Sequence, residues 1–182
     1  MTIVKKSTCG FVLLIVFFIL FGIYAVYSGA KISQSTNTVK EWSDYSTICS
    51  NLSDSLNNAC LKASMFFITD DKAKQAKLLQ ELKESQADID KNIGLADEWL
   101  NHHQFKNEAD KEKVQATLQD MKDDWKSYQE TSKKTLALYD AGKKDEAKNS
   151  FEEVARPAFL KMQDTVVEAE NFNAQKIDQC KD

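Results

Sequence analysis

The feature that most limits what this chain can fold into is the stretch at residues 10–30, GFVLLIVFFILFGIYAVYSGA. No charge falls between Lys6 and Lys31. A helix needs about 20 apolar residues to cross a hydrocarbon core of about 30 Å, and this run is long enough. Lys5 and Lys6 precede it. An excess of lysine beside a first span predicts that residues 1–9 stay in the cytoplasm and that residues 31–182 lie outside the inner membrane. Tyr24 and Tyr27 fall where an outer interfacial belt of aromatic rings would sit. The rival reading is a cleavable signal peptide, because Ser28-Gly29-Ala30 supplies small residues after a basic start and an apolar run. Against it, the run exceeds the usual length of about 7–15 residues and flows into a helix with no turn residue, which favours an uncleaved anchor. Cys9 precedes the run instead of following it, so it makes no lipoprotein signal.

Past the anchor there is room for one domain. Neither glycine nor proline occurs between Lys31 and Ile93. With abundant Ala, Leu, Lys, Glu, Gln and Asp, that absence favours long helices over a sheet. The net charge of −4 leaves no basic footprint for nucleic acid, and Arg156 is the only arginine. Cys49, Cys60 and Cys180 fall outside the membrane in this topology, an odd number that implies an unpaired thiol or a bond between chains. Cys49 and Cys60 lie about 16 Å apart along one helix, too far to bond to each other. No CxxC spacing supports zinc or haem.

Four heptad seams follow. Helix one, continuing to about Ile68, carries Trp42, Tyr45, Cys49, Leu52, Leu56, Ala59, Ala63 and Phe66 at alternating steps of three and four. Thr69-Asp70-Asp71 supplies capping oxygens for helix two, about 71–100, with Leu79, Leu82, Ile89, Ile93, Ala96 and Leu100 on its seam. Asn107 is placed to cap helix three, where Val114, Leu118, Met121, Trp125, Tyr128, Thr135 and Tyr139 recur before Ala141-Gly142 ends it. Helix four starts near Asp145 and runs to about Ile177, with Phe151, Val154, Ala158, Met162, Thr165, Ala169 and Phe172 as its seam. Pro157 inside it predicts a kink between 153 and 157. The expected fold is all-α: an N-terminal transmembrane helix continuing into an up-down-up-down antiparallel four-helix bundle. Helix four then returns towards the membrane, bringing Cys180 close to the bilayer surface.

A lysine-flanked N-terminus, one span and an uninterrupted helix into a bundle resemble the start of a methyl-accepting chemotaxis protein. The stretch Leu138-Tyr139-Asp140-Ala141-Gly142-Lys143-Lys144-Asp145-Glu146-Ala147 is similar to the Gly-Asp-x-x-x-Ala junction between the third and fourth helices of that family's sensor domain, with Lys143 in place of the acidic residue. Arg156-Pro157 and the spacing after it are similar too. The resemblance implies a dimeric receptor module that binds a small solute. Two departures stand beside it. Family members follow the fourth helix with a second span, a HAMP linker and a signalling helix, where this sequence stops at Lys181-Asp182. Amino-acid receptors of the family also carry several arginines on the first and last bundle helices. Helix one here has none, so that ligand specificity does not transfer.

No nucleophile motif, phosphate loop or HExxH pattern points to an enzyme, and no cofactor is expected. His102-His103 with Glu108 and Asp110 is a candidate metal group, against the plainer reading of a solvated turn. Asp44, Asn51, Ser55, Asn58 and Lys62 share a face of helix one beside the apolar seam, readable as a solvated face, a homodimer interface or a ligand groove. The Pro157 kink is expected roughly level with Ser55, where Arg156 offers a planar fork for a carboxylate. Asn51, Ser55, Asn58, Lys62 and Arg156 are therefore the candidate site for an anionic or zwitterionic solute, in one chain or across a dimer. Other readings are a structural or chaperone-like anchored bundle and the sensor part of a histidine kinase.

Overall fold

The computed structural model describes residues 3–180, and for residues 3–18 and 32–35 the backbone course alone. Helix α1 spans Ile3–Ile68 without a break, 66 residues or about 100 Å. Helix α2 spans Lys72–His102 and α3 spans Glu108–Asp140. The fourth arm consists of α4 (Lys144–Ser150), a π-helical turn (Phe151–Ala155) and α5 (Arg156–Gln179). The expected all-helical, four-helix bundle is the observed architecture.

Part of the predicted membrane helix, residues 10–18, has side chains outside the described residues, as does the predicted cytoplasmic segment at 1–9. The remainder of the apolar run is helical and, apart from half-buried Ser28, exposed, Tyr24 and Val26 among it. Among the described residues, no helix is long and apolar enough to cross a membrane.

The turns form where local chemistry dictates. Asp71 caps α2 by accepting from the backbone N–H of Ala73 (2.9 Å) and Lys74 (3.2 Å). Asn107 caps α3 through Ala109 N–H at 3.0 Å. Gly142 takes φ +80°, a conformation that side chains disfavour, and Lys143 N–H reaches back to the Leu138 carbonyl at 3.0 Å to close α3.

Cross-helix pairs fix an antiparallel register. Between α1 and α5, Cys49 meets Asn173 and Asn57 meets Gln163. Between α2 and α3, Gln75 meets Tyr139, Asp90 meets Trp125 and Asp97 meets Lys122. Helix α1 packs extensively on α2 and α5, and α3 packs on α5. The α2–α3 face is the thinnest of the four.

All eight predicted seam residues of α1 are buried. On α2 the expected Leu79 and Leu100 are only half-buried, while Gln75 and Leu78 take inner positions. The fourth arm corrects its predicted seam. The buried residues are Phe151, Ala155, Phe159, Met162, Val166, Ala169 and Asn173, whereas Val154 is 49 % exposed and Ala158, Thr165 and Phe172 are half-buried. Phe151, Met162 and Ala169 are buried as expected, and the wider π turn at Phe151–Ala155 is where Ala155 turns inward in place of Val154. The expected kink at 153–157 takes this form, immediately before Arg156-Pro157.

Candidate functional site

Of the five residues predicted to share a site, four lie on one flank of α1, and Arg156 of α5 stands against the other. Lys62 Nζ pairs with Glu81 Oε2 on α2 at 2.6 Å, and this hydrogen bond holds the Glu81 carboxyl below its usual range. Ser55 Oγ donates to the Asn51 carbonyl on its own helix at 2.8 Å, and Asn51 and Asn58 are exposed. Three- and four-residue spacing puts Asn51, Ser55 and Asn58 on the same α2-side flank as Lys62. Arg156 belongs to the opposite flank. Its guanidinium pairs with Glu152 of its own arm at 2.8 Å, and its charge acts on Cys60, which is near the Asn57–Gln163 contact. The Pro157 region thus stands level with Cys60 and not with Ser55. Within one chain, Arg156 and the Asn51–Lys62 stripe do not form a common groove.

The predicted metal group is likewise dispersed. His102 Nδ1 lies 2.7 Å from the Glu98 carbonyl, Glu108 pairs with Lys111, and Asp110 pairs with Lys176 at 2.7 Å. Among the described residues, no group of three or more His, Cys, Asp and Glu is placed to hold a metal ion.

His103 is not a solvated turn residue. Its side chain is 3 % exposed, stacked on Trp99 with centroids 4.3 Å apart and edge-on to Phe105 at 4.4 Å. Trp42 touches both Trp99 (5.3 Å) and His103 (5.2 Å), and Tyr45 stacks on Trp99 from the other side at 4.3 Å. Trp99 Nε1 donates to the Glu41 carbonyl at 3.0 Å, tying the end of α2 to α1. His103 Nδ1 lies 3.1 Å from the Glu41 carboxylate but makes no aligned hydrogen bond. Burial lowers the imidazole pKa, and Glu41 partly opposes that. This cage closes the end of the bundle nearest the apolar run. A sequence signal existed: Trp99 precedes His103 by four residues, one helical turn.

Below the cage, Tyr45, Cys49 and Asn173 form a buried polar cluster between α1 and α5. Asn173 Nδ2 reaches Cys49 Sγ at 3.6 Å, and burial pushes the Cys49 thiol up to about 12. The Tyr45 hydroxyl and Asn173 Oδ1 are buried without hydrogen-bond partners among the described residues.

At the far end, the thin α2–α3 face opens into a cavity of about 330 Å³. Its inner wall is Phe66 with Tyr139, their rings 4.7 Å apart, and Leu79 and Leu136 flank them. Gln75 is fully engaged there, donating to the Thr69 carbonyl at 2.6 Å and accepting from the Tyr139 hydroxyl at 2.7 Å. Lys83 and Asp140 also line the opening, and neither has an ion-pair partner among the described residues. Lys144, which does not line it, places its ammonium 5.7 Å from the Tyr139 ring. The sequence hint missed here is Gln75, a polar residue on the inner face of α2 where an apolar one is expected.

No curated protein and no solved structure matches the chain. A family described as a four helix bundle sensory module for signal transduction matches residues 1–182, and the chain belongs to that family.

Proposed function

We propose that this sensory module is a membrane-anchored, extracytoplasmic sensor of the chemoreceptor type, which binds a small solute and acts as a homodimer. The observation that carries the reading is the unbroken course of α1. One helix includes the apolar run at residues 10–30 and then supplies the seam from Trp42 to Phe66. A helix that is continuous between an anchor and a core couples movement of one to the other, because a sharp kink needs a break that the backbone lacks. Leu61 on α1 and Leu160 and Val167 on α5 are exposed, at three- and four-residue steps from the Asn57–Gln163 contact. They supply an apolar surface for a second copy.

Reporter fusions after Asp182 test the placement. Alkaline phosphatase, which matures only outside the cytoplasm, is expected to be active, and a reporter that works only in the cytoplasm is expected to be silent. The reverse pattern overturns the reading.

A further inference from the structure

We infer that the cavity between α2 and α3 binds a zwitterion whose two charges are separated by several methylenes, an ω-amino acid. This deepens the sensor reading above and rests on it. The argument begins with the wall. Phe66 and Tyr139 present ring surface, and Leu79 and Leu136 present aliphatic surface, so the body of the ligand is apolar. The cavity, about 330 Å³, falls at the small end of the range for ligand sites.

The rim sets the head groups. Gln75 stands level with Tyr139, since the two side chains are hydrogen-bonded at 2.7 Å. Lys83 lies eight residues further along α2, about 12 Å in rise. Asp140 follows Tyr139, so the cation and the anion sit towards opposite ends of the opening. Neither has an ion-pair partner among the described residues. A carboxylate suits the Lys83 end and an ammonium the Asp140 end. The lysine stem shortens the gap, yet an α-amino acid, with both charges on one carbon, cannot reach both ends at once. Gln75 and Tyr139 already satisfy each other, so the floor offers little to a polar ligand body.

Isothermal titration of the full chain in detergent, with 5-aminopentanoate as the probe, tests this. Pentanoate and pentylamine serve as half-ligands. We expect 5-aminopentanoate to bind at least about tenfold more tightly than either half-ligand. Lys83→Gln should weaken 5-aminopentanoate and pentanoate but spare pentylamine, and Asp140→Asn should do the converse. Leu136→Trp should fill the cavity and abolish binding. Lys83 and Asp140 are exposed, so their variants keep the test valid if Leu136→Trp unfolds the chain. The inference is overturned if 5-aminopentanoate does not bind at millimolar concentration. It also fails if binding ignores both charge variants or survives Leu136→Trp in a folded protein. Those results leave the sensor reading standing, because that reading fails only on the topology reporters.

Discussion

The backbone N–H of Arg156 donates to the carbonyl of Phe151, five residues back, and this bond sets which of Val154 and Ala155 faces inward. An α-helical bond would reach only four residues back. The added residue turns Ala155 inward, at 1 % exposure, and leaves Val154 half outside. It also sits directly ahead of Pro157, whose ring clashes with the preceding turn of a regular helix.

This register predicts opposite outcomes at adjacent positions. Val154→Asp should shift stability by no more than about 0.5 kcal/mol, as for other exposed sites. Ala155→Asp should cost about 3–5 kcal/mol, because it leaves an uncompensated charge in the core. Denaturant midpoints of the two variants decide the matter. Equal losses would mean that the π turn does not set the packing.

Legibility in the sequence follows the regularity of the backbone. Trp42 through Phe66 read correctly because one unbroken α-helix keeps its phase. On the fourth arm the same counting holds at Phe151, Met162 and Ala169 but puts Val154 where Ala155 is buried, since a π turn leaves no mark in a pattern of apolar residues. Val154 and Ala155 are equally acceptable inner residues by composition. The site was harder to read, because spacing places residues on one helix face without saying which neighbour that face meets. Lys62 is legible as a residue beside the α1 seam and Arg156 as a neighbour of the Pro157 kink, but Lys62 looks towards α2 and Arg156 towards Cys60. The cavity was invisible because it arises from what α2 and α3 fail to fill, and only Gln75 marks it in the sequence.

The separation of Lys62 from Arg156 is measurable as additivity. Lys62→Ala combined with Glu81→Ala should show a coupling term in a double-mutant cycle, since the two side chains touch. Lys62→Ala combined with Arg156→Ala should be additive within error. Significant coupling between Lys62 and Arg156 in a monomeric preparation would place them in one groove after all.

His103 gives the bundle a pH dependence of definite sign. Burial lowers its pKa in the folded state, against an unfolded value of about 6.5. The unfolded chain therefore binds the extra proton first, and stability is lost as pH falls below about 6.5 towards the lowered folded value. Glu170 acts with the opposite sign. Burial and then Asp54 raise its carboxyl pKa, so its contribution falls as pH rises. Comparison with His103→Gln isolates the imidazole. Between about pH 7.5 and 5.5 the wild type should lose more stability than this variant. Glu41→Gln should steepen the loss, because Glu41 is the charge that favours the imidazolium. Parallel pH profiles for wild type and His103→Gln would show that the cage does not disfavour protonation.

Cys49 and Cys60 on α1 should differ in reactivity for reasons that the fold supplies. Cys49 is 1 % exposed, and burial outweighs the Asn173 hydrogen bond to push its pKa up to about 12. At neutral pH its thiolate is on the order of a thousandfold scarcer than that of an ordinary cysteine. With the other three cysteines replaced by serine, maleimide labelling of Cys49 should follow global unfolding and appear only in denaturant. Cys60 is half-buried: burial raises its pKa, while Arg156 and then Ser64 pull it down. A chain retaining only Cys60 should therefore label in the native state. Arg156→Ala should slow that labelling, because it removes the cation that favours the thiolate. Native labelling of Cys49, or an unchanged Cys60 rate in Arg156→Ala, would contradict the α1–α5 packing on which both expectations depend.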